Sequence, residues 1–132
     1  MTGILGRLLI VNDQREFACR LSAVAERLRF AARTLAHVLD LQYVMQHWHP
    51  EMVVIHMDMA GNQDVEALEY LERIGFTGRL LLTGDVGQSA LEEAAAVARL
   101  HGLAVSSVLT KQASMDQVRS AFKQLLDLER AA

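Results

Sequence analysis

The chain has 132 residues, 52% of them apolar and 22% charged, with a formal charge of −3, which fits a single folded domain with a core of its own. No run approaches the roughly 18 to 20 apolar residues of a membrane span, and the N-terminus lacks the apolar run of a secretion signal, so the expected location is the cytoplasm with no membrane partner. The lack of any basic run argues against capture of nucleic acid or anionic lipid, and the lone Cys19, between Phe17 and Leu21, is expected as a small core residue rather than a disulfide or metal partner.

Arg7 to Val11 is a short apolar run that stops at Asn12-Asp13-Gln14, the pattern of a buried strand entering a polar loop. From Arg15 to Leu28, the residues Phe17, Leu21, Val24, Ala25 and Leu28 recur at three and four positions and predict a helix with one buried face. Phe30 to Gln46 suits either a helix or a strand, and propensity alone favours a helix. After Pro50, Met52 to Ile55 is a compact β-branched run that reads as a strand and leads into His56-Met57-Asp58. Gly61-Asn62 marks a loop, and Val65, Leu68, Leu71 and Ile74 give a helical stripe ending near Gly75. Arg79 to Thr83 reads as a strand closed by Gly84, and Ser89 to His101 as an alanine-rich helix closed by Gly102. Leu103 to Leu109 alternates weakly and ends at Thr110-Lys111. Ser114 and Gln117 form a capping-box pattern for a last helix that turns Val118, Phe122, Leu125 and Leu126 inward.

Strands alternating with helices imply an α/β domain with a parallel sheet covered on both faces. Ligand chemistry in such sheets gathers at the carboxyl ends of the strands, which selects Asn12 and Asp13, His56 to Asp58, Thr83 and Lys111. An acid, a hydroxyl and a lysine at neighbouring strand ends are the parts that hold a divalent cation and a phosphoryl group. No repeat, linker or low-complexity segment divides the chain. One domain over residues 7–128 is expected, with 1–6 and 129–132 as terminal extensions.

The four strand ends occur in order as Leu-Ile-Val-Asn12-Asp13, Pro50-Glu51-Met-Val-Val-Ile-His56 running into Met-Asp-Met-Ala-Gly61, Leu-Leu-Leu-Thr83-Gly84, and Leu-Thr-Lys111. With that order and spacing the chain resembles the receiver domain of two-component response regulators, from about Arg7 to Leu126. The resemblance implies a flavodoxin-like, doubly wound (βα)5 fold with strand order 2-1-3-4-5. It also resolves the ambiguous segment into a second strand near Phe30 to Thr34 and a short helix near Asp40 to Gln46. In function it implies phosphorelay signal transduction by protein contacts without enzymatic turnover. The implied partners are an output domain or partner protein, an upstream histidine kinase, and a second copy meeting it through residues 89–128, where the fourth helix, fifth strand and fifth helix form a face. The stretch from Ala96 to Lys111 looks nearest to receivers attached to EAL-type cyclic-di-GMP phosphodiesterase domains. The tripeptide Glu66-Ala67-Leu68 belongs to an ordinary helical stripe and carries none of that likeness.

His56 stands where the family's aspartate accepts phosphate. A carboxylate forms an acyl phosphate while a bound Mg²⁺ screens the charge, and an imidazole does neither job in the same way, so phosphorylation at the usual place is expected to be lost. The plainest expectation is that His56 fills the former acceptor site by hydrogen bonding to Asp13 or Asp58. Two sharper readings are a transition-metal site made by His56, Asp13 and Asp58, and a still-active phosphoacceptor on His56 or Asp58. Asp58, two residues on, is expected to return to the same side of the strand; otherwise it is a loop residue. Asn12 replaces the first acid of the family's pair, which weakens any Mg²⁺ site, while Asp13 keeps the position that binds the metal. Val108, three residues before Lys111, takes the place of a switching aromatic. Ala60 and Gln112 stand where proline is common, and the Lys111–Gln112 bond is expected to be trans. His37, His47, His49 and His101 share no ligand spacing, and His47-Trp48-His49 reads as a partly buried loop. The methionines read as core filler, and Asp85 as a solvated loop acid. A ligand-sensing crevice is disfavoured, because Val11 to Phe17 contains no glycine to cradle a phosphate.

Overall fold

Five strands alternate with five helices in the computed structural model, which describes residues 3–131 and side-chain surroundings as far as residue 126. In chain order these are β1 (Gly6–Val11), α1 (Arg15–Arg27), β2 (Phe30–Leu35), α2 (Leu41–Trp48), β3 (Met52–His56), α3 (Gln63–Arg73), β4 (Arg79–Gly84), α4 (Gln88–Leu100), β5 (Ala104–Thr110) and α5 (Met115–Ala131). Short 3₁₀ turns at Val38–Asp40 and Ala60–Asn62 precede α2 and α3. All strand pairs are parallel, in the order β2-β1-β3-β4-β5, the flavodoxin-like arrangement expected. Because β1 begins at Gly6 and α5 runs to Ala131, parts of the expected terminal extensions belong to regular elements; residues 1, 2 and 132 of those extensions lie outside the described residues.

Successive residues of a strand point to opposite faces, and the core divides accordingly. Leu9, Val11, Val53, Ile55, Leu80 and Leu82 face α2, α3 and α4. Leu8, Ile10, Met52, Val54 and Leu81 face α1 and α5, where Phe122 packs edge-on to Phe30 with ring centroids 6.4 Å apart. With both faces covered, β3 is buried along its whole length, which explains why its sequence shows no alternation.

Several local expectations need correction. Cys19 is exposed, because Phe17, Ala18, Leu21, Val24 and Ala25 form the inward face of α1 and Cys19 falls outside it. His47 and Trp48 are helical rather than loop residues, closing α2, and His49 takes the left-handed cap with φ 54°. The buried stripe of α3 is Asp64, Ala67 and Leu71, so Val65 and Ile74, expected inside, are each 46% exposed. The weak alternation of the last strand has a cause in a bulge. Leu80 pairs with Val105 but Leu81 pairs with Ser107, so Ser106 is the extra residue, and its hydroxyl donates to the Leu80 carbonyl at 3.1 Å. The capping box forms as expected: the Ser114 amide donates to Gln117 Oε1 at 2.8 Å and the Gln117 amide to Ser114 Oγ at 3.2 Å. No cis peptide bond occurs among the described residues.

Candidate functional site

The backbone ladder continues past the carboxyl ends of the strands. The Asn12 amide donates to the Leu35 carbonyl at 2.9 Å, the Met57 amide to Thr83 at 2.6 Å, and the Lys111 amide to Gly84 at 2.9 Å. His56 sits beside Thr83 in the β3–β4 register, while Val11, which precedes Asn12-Asp13, is level with Ile55. The residues singled out at the strand ends therefore stand on one edge of the sheet, held there by main-chain bonds.

His56 is fully buried. Its Nδ1 lies 3.0 Å from Thr83 Oγ1, its Nε2 is buried with no hydrogen-bond partner among the described residues, and its ring meets Phe17 edge-on at 5.7 Å and 76°. Burial lowers its pKa from the ordinary 6.5, outweighing the raising effects of Asp85, Asp13 and Asp58, and Lys111 adds to the lowering. The ring is thus held neutral between an aromatic edge and a hydroxyl.

Its partner differs from the two expected. Asp13 is turned to the β3–α3 loop, where its Oδ2 accepts from the Ala60 amide at 3.1 Å. Asp58 is exposed and lies beyond the end of β3 at φ 71°, so strand alternation no longer directs it, and its amide donates to the buried Asp64 at 2.7 Å. Asn12 folds back on its own loop, accepting from the Gln14 amide at 2.8 Å. Its Nδ2 is buried without a partner. No group of three or more His, Cys, Asp or Glu among the described residues could hold a metal ion. His56, Asp13 and Asp58 do not form such a group.

Asp85 is an exposed loop acid as expected, and it also joins neighbouring loops. Gln14 Nε2 donates to its Oδ2 at 2.7 Å, and Lys111 Nζ stands 3.7 Å from its Oδ1. The Gln14 bond is the main reason the Asp85 carboxyl titrates below the usual range, with Lys111 helping. Through Asp85 the loops after β1 and β4 and the end of β5 are tied together, and Lys111 is paired there. Gln63 similarly ties two loops, accepting from the Val38 amide at 2.9 Å and donating to the Ala60 carbonyl at 3.0 Å. The signal for Asp85 was its place two residues past Thr83; no local pattern marks Gln14 or Gln63. Val108 is buried in the core beside Leu82.

The His56–Thr83 contact can be weighed by a double-mutant cycle. Either His56→Leu or Thr83→Val leaves one buried polar group unpaired and should cost about 1–3 kcal/mol. The double variant should be more stable than the sum of the two, by about 1 kcal/mol in urea unfolding. Strict additivity would show that the contact contributes nothing.

No protein-family model matches the chain, and no curated protein matches it. Solved structures do. A response regulator from Colwellia psychrerythraea superposes with a TM-score of 0.81 at 18% identity, over 94% of this chain and 98% of that one. A CheY-like response regulator receiver domain protein from Methanospirillum hungatei JF-1 gives 0.79 at 13% identity, over 96% and 97%. The N-terminal domain of a response regulator/sensory box/GGDEF three-domain protein from Carboxydothermus hydrogenoformans gives 0.77 at 14% identity, over 95% and 97%. At these identities the likeness is one of fold, and the fold is that of response regulator receiver domains.

Proposed function

We propose that this chain is a receiver-type signalling domain, acting in the cytoplasm through protein contacts, that does not accept phosphate at the end of β3 and turns over no substrate. The observation that supports this most is the burial of a neutral His56 against Thr83 at the position of the family's acceptor aspartate. The hydroxyl suited to a phosphoryl oxygen faces that ring, and the lysine suited to its charge is paired with Asp85. The function left to such a domain is to present a surface. An attached output domain or separate partner protein would read it, as would a second copy meeting it through residues 89–128, with a histidine kinase as a further contact. The stretch 96–111 favours an output of the cyclic-di-GMP phosphodiesterase class.

Incubation with Mg²⁺ and acetyl phosphate, followed by intact-mass spectrometry, should leave the protein unmodified, while a phosphorylatable receiver in the same tube gains its phosphoryl group. Beryllium fluoride should likewise leave the Thr83 and Lys111 amide resonances in place. A saturable mass gain on Asp58 or His56 would overturn this reading in favour of a working phosphoacceptor.

A further inference from the structure

An apolar groove of about 390 Å³ runs between α3 and α4 and includes neither His56, Thr83, Asp85 nor Lys111. Met57, Leu68, Ala94 and Leu103 line it together with Val65 and Val97, and these two valines are 46% and 55% exposed. Exposed valines facing a shared depression carry a hydration cost that a bound apolar partner would remove. The same groove is acidic along its α3 side. Glu69 and Glu72 line it, and neither lysine nor arginine does. Glu72 Oε1 is 2.9 Å from His101 Nδ1, whereas Glu69 has no ion-pair partner among the described residues. Arg73, one turn after Glu69 on α3, shares a neighbouring depression with it but lies 5.5 Å over the Tyr70 ring and makes no ion pair with Glu69 among the described residues.

We propose that this groove receives an amphipathic helical segment of a partner protein that carries lysine or arginine beside its apolar anchors. Apolar side chains one turn apart would fill the space between Val65 and Val97, as helices do in other apolar grooves, and the cation would meet Glu69. A second copy of this chain fits less well, because its own groove offers Glu69 and Glu72 and neither lysine nor arginine, so a two-fold contact of groove on groove supplies no cation for Glu69. The proposal concerns a different surface from His56 and stands whether or not phosphate is accepted there.

Two synthetic helical peptides test it, identical in their leucine anchors and differing only in whether the flanking positions are lysine or glutamate. Titrated into the full chain and followed by methyl NMR, the lysine peptide should shift Val65, Ala94 and Val97 saturably and bind at least about 10-fold more tightly than the glutamate peptide. Glu69→Lys should narrow or reverse that preference, and Ala94→Glu, shown by circular dichroism to be folded, should abolish binding. The proposal fails if neither peptide shifts these methyls, if the two bind equally, if the shifts fall on another face, or if the chain forms a dimer that Val97→Glu dissolves.

Discussion

Acidification from about pH 7 to about pH 5 is expected to destabilise the domain, and most of that loss should disappear in the His56→Leu/Thr83→Val double variant. In the unfolded chain His56 titrates near its ordinary value of 6.5, whereas burial lowers its pKa in the fold. As pH falls, the unfolded state therefore takes up the proton first. Stability contributed by the neutral ring is complete above about 6.5 and is lost as pH falls from there towards the folded-state pKa. A single proton bounds the slope at about 1.4 kcal/mol per pH unit. The groups that act on the ring are the three acids Asp85, Asp13 and Asp58 and the cation Lys111, but none is hydrogen bonded to it, so no carboxylate stands ready to pair with an imidazolium. Asp85 contributes in a different window: its pKa is lowered, so its contribution persists above 3.8 and is lost only as pH falls through the carboxylate range. Urea midpoints measured across this range for the native and double-variant proteins separate the two windows. Parallel curves between pH 7 and 5 would show that His56 is not the group responsible.

Gly78→Ala should be the most damaging single-methyl change in the sheet. Gly78 is buried just before β4, and a Cβ there would overlap the Glu51 carbonyl oxygen and the Phe76 ring. The backbone cannot simply swing aside. The Arg79 amide donates to that same Glu51 carbonyl at 3.2 Å, and the next pair, Met52 with Arg79, starts the β3–β4 register. Overpacking against main chain costs about 3 kcal/mol, a large share of the roughly 5–15 kcal/mol that holds a domain folded. Gly61→Ala is the useful comparison: beyond its chain neighbours nothing lies within 4 Å of an added Cβ, and only the left-handed φ of 66° opposes it, so about 1 kcal/mol is expected. Equal urea midpoints for Gly78→Ala and the native protein would mean that the close approach relaxes freely.

The strands were legible where burial on both faces concentrates β-branched and leucine residues, as in Met52 to Ile55 and Arg79 to Thr83. Phe30 to Leu35 was not legible by itself. It is an edge strand paired only with β1, so its outer residues Arg33 and Thr34 stay exposed and its alanines favour helix in isolation. The α3 stripe was misplaced because Asp64, a polar residue, occupies the inward position to accept from Asp58, and a hydrophobic pattern gives no weight to a buried acid. At the site, the strand-end rule found His56 and Thr83 but not their mutual contact, since pairing across strands depends on register rather than on local sequence. The links of Asp85 are not legible for the same reason: both Gln14 and Lys111 come to it from other strand ends.

The strand-end bonds from the amides of Asn12, Met57 and Lys111 involve no side-chain atom. The residue at position 56 is consequently held in place by bonds that do not use its side chain. A substitution at this position therefore changes the chemistry offered at the strand ends while the main-chain bonds that align β3 with β4 keep their partners.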